Sequence, residues 1–177
     1  FHNYFISHYH VKKDVKNFYI CLKWADSKRR NLYSRLIKYG FCFMYDEGEK
    51  ILMKKIDLES WKRKEHFEFF SKMTSPYYGI TTEVDCTKAY INAKENGHSF
   101  FAHYLHKSMI AANSVEELRL RIIDRQVVLF ERINAGATVG RADGTFGFIF
   151  INFSDDFVIF NDELQNEIQT VLNSTGL

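Results

Sequence analysis

The chain has 177 residues, 46% of them hydrophobic and 16% aromatic, with 17 Phe, 10 Tyr and a single proline, Pro76. That composition suits a packed globular protein and excludes a disordered one, and no apolar run nears the roughly 20 residues of a membrane-spanning helix. The net charge of +2 hides a split: residues 1–52 carry ten Lys/Arg against five Asp/Glu, whereas residues 53–177 carry fourteen against seventeen, a hint of two origins.

Residues 1–52 organise poorly. "NLYSRLIKYG" has helical spacing through Leu32, Leu36 and Ile37, then Gly40 interrupts it. The basic cluster Lys28, Arg29 and Arg30 reads as a solvated charged face, so no nucleic-acid partner is expected. The first residues, "FHNYFISHYHVKKDVKNF", lack the basic-then-apolar order of a signal peptide. Cys21, Cys42 and Cys86 are odd in number and widely spaced, as in the reduced thiols of a cytosolic protein, and predict neither a disulfide frame nor a zinc site.

From Met53 the signals sharpen. Asp57 is a plausible N-cap for a short helix running through Phe70. "YGITTEVDCT" (78–87) alternates as a strand, and "TKAYINAKENG" reads as a helix capped by Thr87 and ended by Gly97. "HSFFAHYLHKSMIAAN" (98–113) places Phe101, Leu105, Met109 and Ala112 on one buried helical face. "LRLRII" and "QVVLFERI" flank "DR", which predicts a hairpin. The Gly-rich "AGATVGRADG" (135–144) lacks the phosphate-loop pattern G-x-x-x-x-G-K-[ST] and reads as a turn between strands. "TFGFIFINF" (145–153) reads as an apolar strand covered on both faces. Asp155 and Asp156 are cap candidates rather than metal ligands, and open a last helix with Phe157, Phe160, Leu164, Ile168 and Val171 at helical spacing. Strands mixed with helices predict an α/β layered domain.

Several of these stretches together, "IDLESWKRKEHFEFFSKM", "YYGITTEVDCT", "GHSFFAHYLHKSMIAANSVEELRLRI", "VVLFERINAGATV" and "TFGFIFINFSDDFVIFNDEL", resemble the chloramphenicol acetyltransferase family over about residues 53 to 172. The resemblance covers roughly the first half of a family member. It implies an incomplete two-layer α/β sandwich of the CoA-dependent acyltransferase type, over 53–177. It also implies a cytoplasmic homotrimer that moves an acetyl group from acetyl-CoA to a hydroxyl of chloramphenicol, an antibiotic-resistance activity, with no metal and no membrane partner. In the family, a histidine of a His-x-x-x-Asp-Gly motif takes the hydroxyl proton and a serine hydroxyl steadies the oxyanion.

Carried over residue by residue, Phe69, Phe70, Tyr78 and Phe146 fall on pocket-lining positions and Thr138 on the pocket rim, while Trp61 is a packing residue. Flat apolar walls suit a nitrophenyl ring and a dichloroacetyl group. Arg63 matches an arginine that clamps the aspartate of the His motif. No catalytic residue is assigned, because no histidine starts that motif. Val139 stands four residues before the one Asp-Gly, Asp143–Gly144, and His10–Asp14 is followed by Val15. His2, His8, His66, His98, His103 and His106 fail likewise. Arg63 is therefore expected to stay exposed or to find another acid. The alternative reading is a non-catalytic remnant or interaction module.

"MKKIDLESW" resembles the family's amino terminus, so Met53 is expected to be a start and residues 1–52 a translated leader. Glu47-Gly48-Glu49 can be written GAAGGAGAA, which contains a ribosome-binding sequence.

Overall fold

In the computed structural model the described residues are 2–12, 15–25, 41–44, 53–74 and 79–176, with side chains described over 53–74 and 83–176. Tyr78, the basic cluster at 28–30 and the helical spacing at 32–37 lie outside them. The strands are β1 (His2–Lys12), β2 (Val15–Ala25), β3 (Phe41–Met44), β4 (Met53–Lys55), β5 (Gly79–Asp85), β6 (Leu120–Ile123), β7 (Gln126–Phe130), β8 (Asn134–Gly140) and β9 (Phe146–Ile151). The helices are α1 (Lys64–Ser71), α2 (Thr87–Glu95), α3 (Phe100–Ser114), α4 (Glu116–Arg119) and α5 (Phe157–Asn173). The described strands form three antiparallel sheets, ordered β1-β2-β5, β3-β8-β9 and β4-β7-β6.

Local chemistry sets most of these boundaries. The expected hairpin is β6–β7, closed by Asp124 and Arg125 with φ of 47° and 64°. Two successive positive φ values give the turn whose twist matches the flanking strands. At the end of α2, Gly97 adopts φ of 70°; its amide donates to the Lys94 carbonyl and that of His98 to the Ala93 carbonyl. These paired bonds close a helix over a glycine and satisfy its last carbonyls. Thr87 does not cap this helix. It is the first helical residue, and its amide donates to the Asp85 carboxylate. Asp156 does cap α5, accepting from the amides of Val158 and Ile159.

Three further expectations fail for physical reasons. The first helix starts at Lys64 rather than beside Asp57. The Asp57 carboxylate accepts from the Glu59 amide and the Ser60 hydroxyl, so it closes a turn of its own. Short acidic side chains offer the backbone this alternative to helix. The strand β9 is covered on one face only: Gly147, Ile149 and Ile151 are buried, whereas Phe148 on the other face is 54% exposed. The glycine-rich segment is also mostly strand, since β8 runs to Gly140 and the turn is confined to 141–145.

The core lies between α3 and α5 on one side and β7, β8 and β9 on the other. Small residues of β8 stand opposite large ones of β9, Ala135 against Ile151 and Ala137 against Ile149, which leaves depth for Leu105, Met109, Phe160 and Leu164. Gly147 lets α5 approach β9: a Cβ there would lie 2.7 Å from Val171 Cγ1 and 2.9 Å from Arg141 Nη2. Arg141 is fixed in turn, donating from Nε to the Val171 carbonyl and from Nη1 to the Phe146 carbonyl. Asn113 ties α3 to the start of β8, donating to the carbonyls of Met109 and Ile133 and accepting from the Ile133 amide.

Candidate aromatic site and histidine cluster

The helix α1 holds Arg63 at its start and His66, Phe69 and Phe70 along it. Residues three and four apart share a helical face, so His66, Phe69 and Phe70 are neighbours. None of the α1 side chains is buried; Phe69 is 61% exposed, and its ring meets Phe70 edge to face at 5.3 Å. Apolar rings left open to water on a short helix are not explained by this chain's own core. Trp61 packs instead against Phe67, ring to ring at 6.2 Å.

A second aromatic pair lies on the open face of β9, where Phe146 and Phe148 meet edge to face at 5.6 Å. Strand pairing sets Thr138 opposite Phe148 and Gly140 opposite Phe146, so Thr138 shares that face. Among the described residues no ring contact joins this pair to Phe69 and Phe70. The structure thus presents two separate aromatic surfaces. A shallow cleft beside β4, lined by residues including Lys55, Asp57, Leu58 and Gln126, contains none of them.

Arg63 finds another acid. Its Nη2 donates to Glu117 Oε1 of α4 at 2.5 Å, with both side chains about half exposed. A hydrogen bond from its own backbone amide and the Arg63 charge hold the Glu117 carboxyl below its usual range. Solvent screens this pair, so it orients the guanidinium more than it stabilises the fold. The partners are 54 positions apart and no local pattern announces them. The Asp143 carboxylate, by contrast, is used locally: it accepts from the Thr145 amide and hydroxyl and ties the β8–β9 turn.

A histidine cluster that no motif announced gathers around Phe157. The rings of His98, His103 and His106 lie 5.1, 4.4 and 5.4 Å from it. His106 is only 2% exposed, its Nε2 stands 2.9 Å from the Ser154 carbonyl, and its Nδ1 has no partner. Because a carbonyl only accepts, Nε2 is the donor in this bond. His103 Nε2 faces His98 Nδ1 at 3.3 Å.

Burial first, then the nearby charges of His98, Lys107 and His106, push the His103 pKa below its ordinary 6.5. A base whose folded pKa is lowered takes up its proton first in the unfolded chain, so stability falls as pH drops below about 6.5. The urea midpoint is therefore expected to fall between about pH 7.5 and about pH 5.5, and to fall less in His103→Gln. Equal slopes in the two proteins would remove His103 as the cause.

Among the described residues no group of three or more His, Cys, Asp or Glu could hold a metal ion, and no helix is long and apolar enough to cross a membrane.

Comparison with known proteins agrees with this architecture. Residues 51–177 match the family described as chloramphenicol acetyltransferase. A chloramphenicol acetyltransferase of Klebsiella sp is 29% identical over 103 residues, 58% of this chain and 47% of its own length. One of Staphylococcus aureus is 29% identical over 119 residues, 65% of this chain and 54% of its own. A solved structure named chloramphenicol acetyltransferase superposes with a TM-score of 0.64 at 35% identity, covering 71% of this chain and 59% of the other. The chain spans about half the length of the curated relatives it matches. With residues 51–177 matched and 71% of the chain superposing on the solved relative, the chain belongs to the chloramphenicol acetyltransferase family.

Proposed function

We propose that this chain supplies the acceptor-binding part of a cytoplasmic, homotrimeric acyltransferase that moves acetyl from acetyl-CoA to a hydroxyl of chloramphenicol, conferring antibiotic resistance. The observation that carries this reading is the family match over 51–177, with both aromatic surfaces inside it. Phe69, Phe70, Tyr78 and Phe146 are the wall residues. Exposed rings on α1 and on the open face of β9 are surfaces a ligand or neighbouring protein can desolvate. Arg63 orients the catalytic loop from the mouth of the site. No histidine of these 177 residues is assigned the proton-accepting role, and acetyl-CoA is the co-substrate.

A second reading, a non-catalytic derivative that keeps the aromatic surfaces for binding, is favoured by two observations. None of the seven histidines begins the His-x-x-x-Asp-Gly motif, and Arg63 is held by Glu117.

A fusion of residues 53–172 to a family segment carrying His-x-x-x-Asp-Gly separates the two. Chloramphenicol-dependent CoA release is expected from it. Phe69→Ser or Phe146→Ser is expected to lower kcat/KM roughly 10- to 100-fold, the effect of losing about one buried aromatic contact. Phe69→Ser should leave the melting temperature unchanged, because that ring is exposed in the chain itself. A folded fusion that consumes no acetyl-CoA points to the second reading.

A further inference from the structure

We propose that His98 and His103 form a two-ligand site for a divalent transition cation, zinc above all, at the α2–α3 junction. His98 follows the glycine turn that ends α2 and His103 lies in the first turn of α3, so the two rings come from different elements. Their facing nitrogens, Nδ1 of His98 and Nε2 of His103, are 3.3 Å apart. Zinc binds imidazole nitrogen at roughly 2.0–2.1 Å in tetrahedral geometry, which places two nitrogens of one shell about 3.3–3.4 Å from each other. The rings already stand at that separation.

Phe157 packs against both rings, at 5.1 and 4.4 Å, and keeps them side by side at the junction. Without metal, one of the two nitrogens carries the proton that the other accepts. On binding, the ring that donated shifts its proton to its far nitrogen, the other already carries its proton there, and both turn a lone pair to the cation. His98 and His103 are both partly exposed, so solvent can reach the site and complete its shell.

Three features limit its strength. The described residues hold no third protein ligand. Lys107 lies close enough to depress the His103 pKa, and its charge opposes a cation. His106, the remaining histidine of the cluster, is committed through Nε2 to the Ser154 carbonyl. A two-ligand site of this kind binds far more weakly than a closed four-ligand site. Because it joins the end of α2 to the start of α3, occupancy stiffens that junction.

The test is calorimetric titration of Zn²⁺ alone into the 177-residue chain, paralleled by the visible absorption of Co²⁺ in tetrahedral coordination. One cation per chain is expected, and His98→Gln and His103→Gln are each expected to weaken binding more than about tenfold. His66→Gln, on the exposed face of α1, should leave it unchanged. At free Zn²⁺ about ten times the dissociation constant, the melting temperature should rise roughly 3–6 °C in the parent and not in either variant. Binding that survives both substitutions places the cation elsewhere, for instance on His2, His8 or His10, and overturns the proposal. So does the absence of binding up to millimolar Zn²⁺.

Discussion

Incubated with acetyl-CoA and chloramphenicol, the purified 177-residue chain is expected to release CoA no faster than a protein-free control. A neutral hydroxyl is a poor nucleophile, and a positioned general base typically contributes a factor of about 10²–10⁴. The described histidines do not supply one. His106 is buried with Nε2 bonded to a carbonyl, and His98 and His103 face each other. His66 is the one histidine on the face of Phe69 and Phe70, but no described side chain orients it. A base needs such a second group to hold its tautomer and aim. Thiol release monitored with a colorimetric reagent measures the rate. Chloramphenicol-dependent turnover that disappears in His66→Gln would make His66 the base and refute the reading that this chain holds none.

How far the sequence reveals this molecule depends on the range of the interaction concerned. The β6–β7 hairpin is legible because two alternating runs leave only Asp124 and Arg125 between them, and a two-residue gap admits few turns. The helix α5 is legible because Phe160, Leu164 and Val171 repeat at helical spacing behind Asp156, a residue whose side chain can satisfy the first amides. The start of α1 is misread because Asp57 has two local uses, cap and turn, and only the surrounding backbone decides between them. The open face of β9 is misread because Phe146, Phe148 and Phe150 alternate with Gly and Ile, a pattern as apolar on one face as on the other. In the site, the aromatic positions rest on family likeness alone, whereas the Arg63–Glu117 and His98–His103 contacts are products of folding. The first spans 54 residues, and the second depends on the α2 turn. No periodicity encodes either.

Replacing Phe160 by alanine is expected to cost about 3–5 kcal/mol of stability, against less than about 0.5 kcal/mol for its neighbours Val158 and Ile159. The three residues sit within one turn of the same helix, so propensity and capping are nearly constant across the comparison and burial is the variable. Phe160 is fully buried in the core shared with Leu105, Met109 and Ile151, and its ring meets His106 at a tilt, centroids 5.0 Å apart. Val158 and Ile159 face outward and are among the most exposed large apolar side chains described. Truncating Phe160 removes the transfer energy of the ring and leaves a cavity that α3 and β9, pinned by Asn113 and Arg141, can only partly close. Small domains hold only about 5–15 kcal/mol in all, so the variant should unfold at a much lower urea midpoint with the slope unchanged. Should Phe160→Ala cost no more than Val158→Ala, α5 is not docked on β8 and β9 in solution. The positions assigned to Phe146 and to the Phe157-centred histidines would then lose their support, since both depend on that contact.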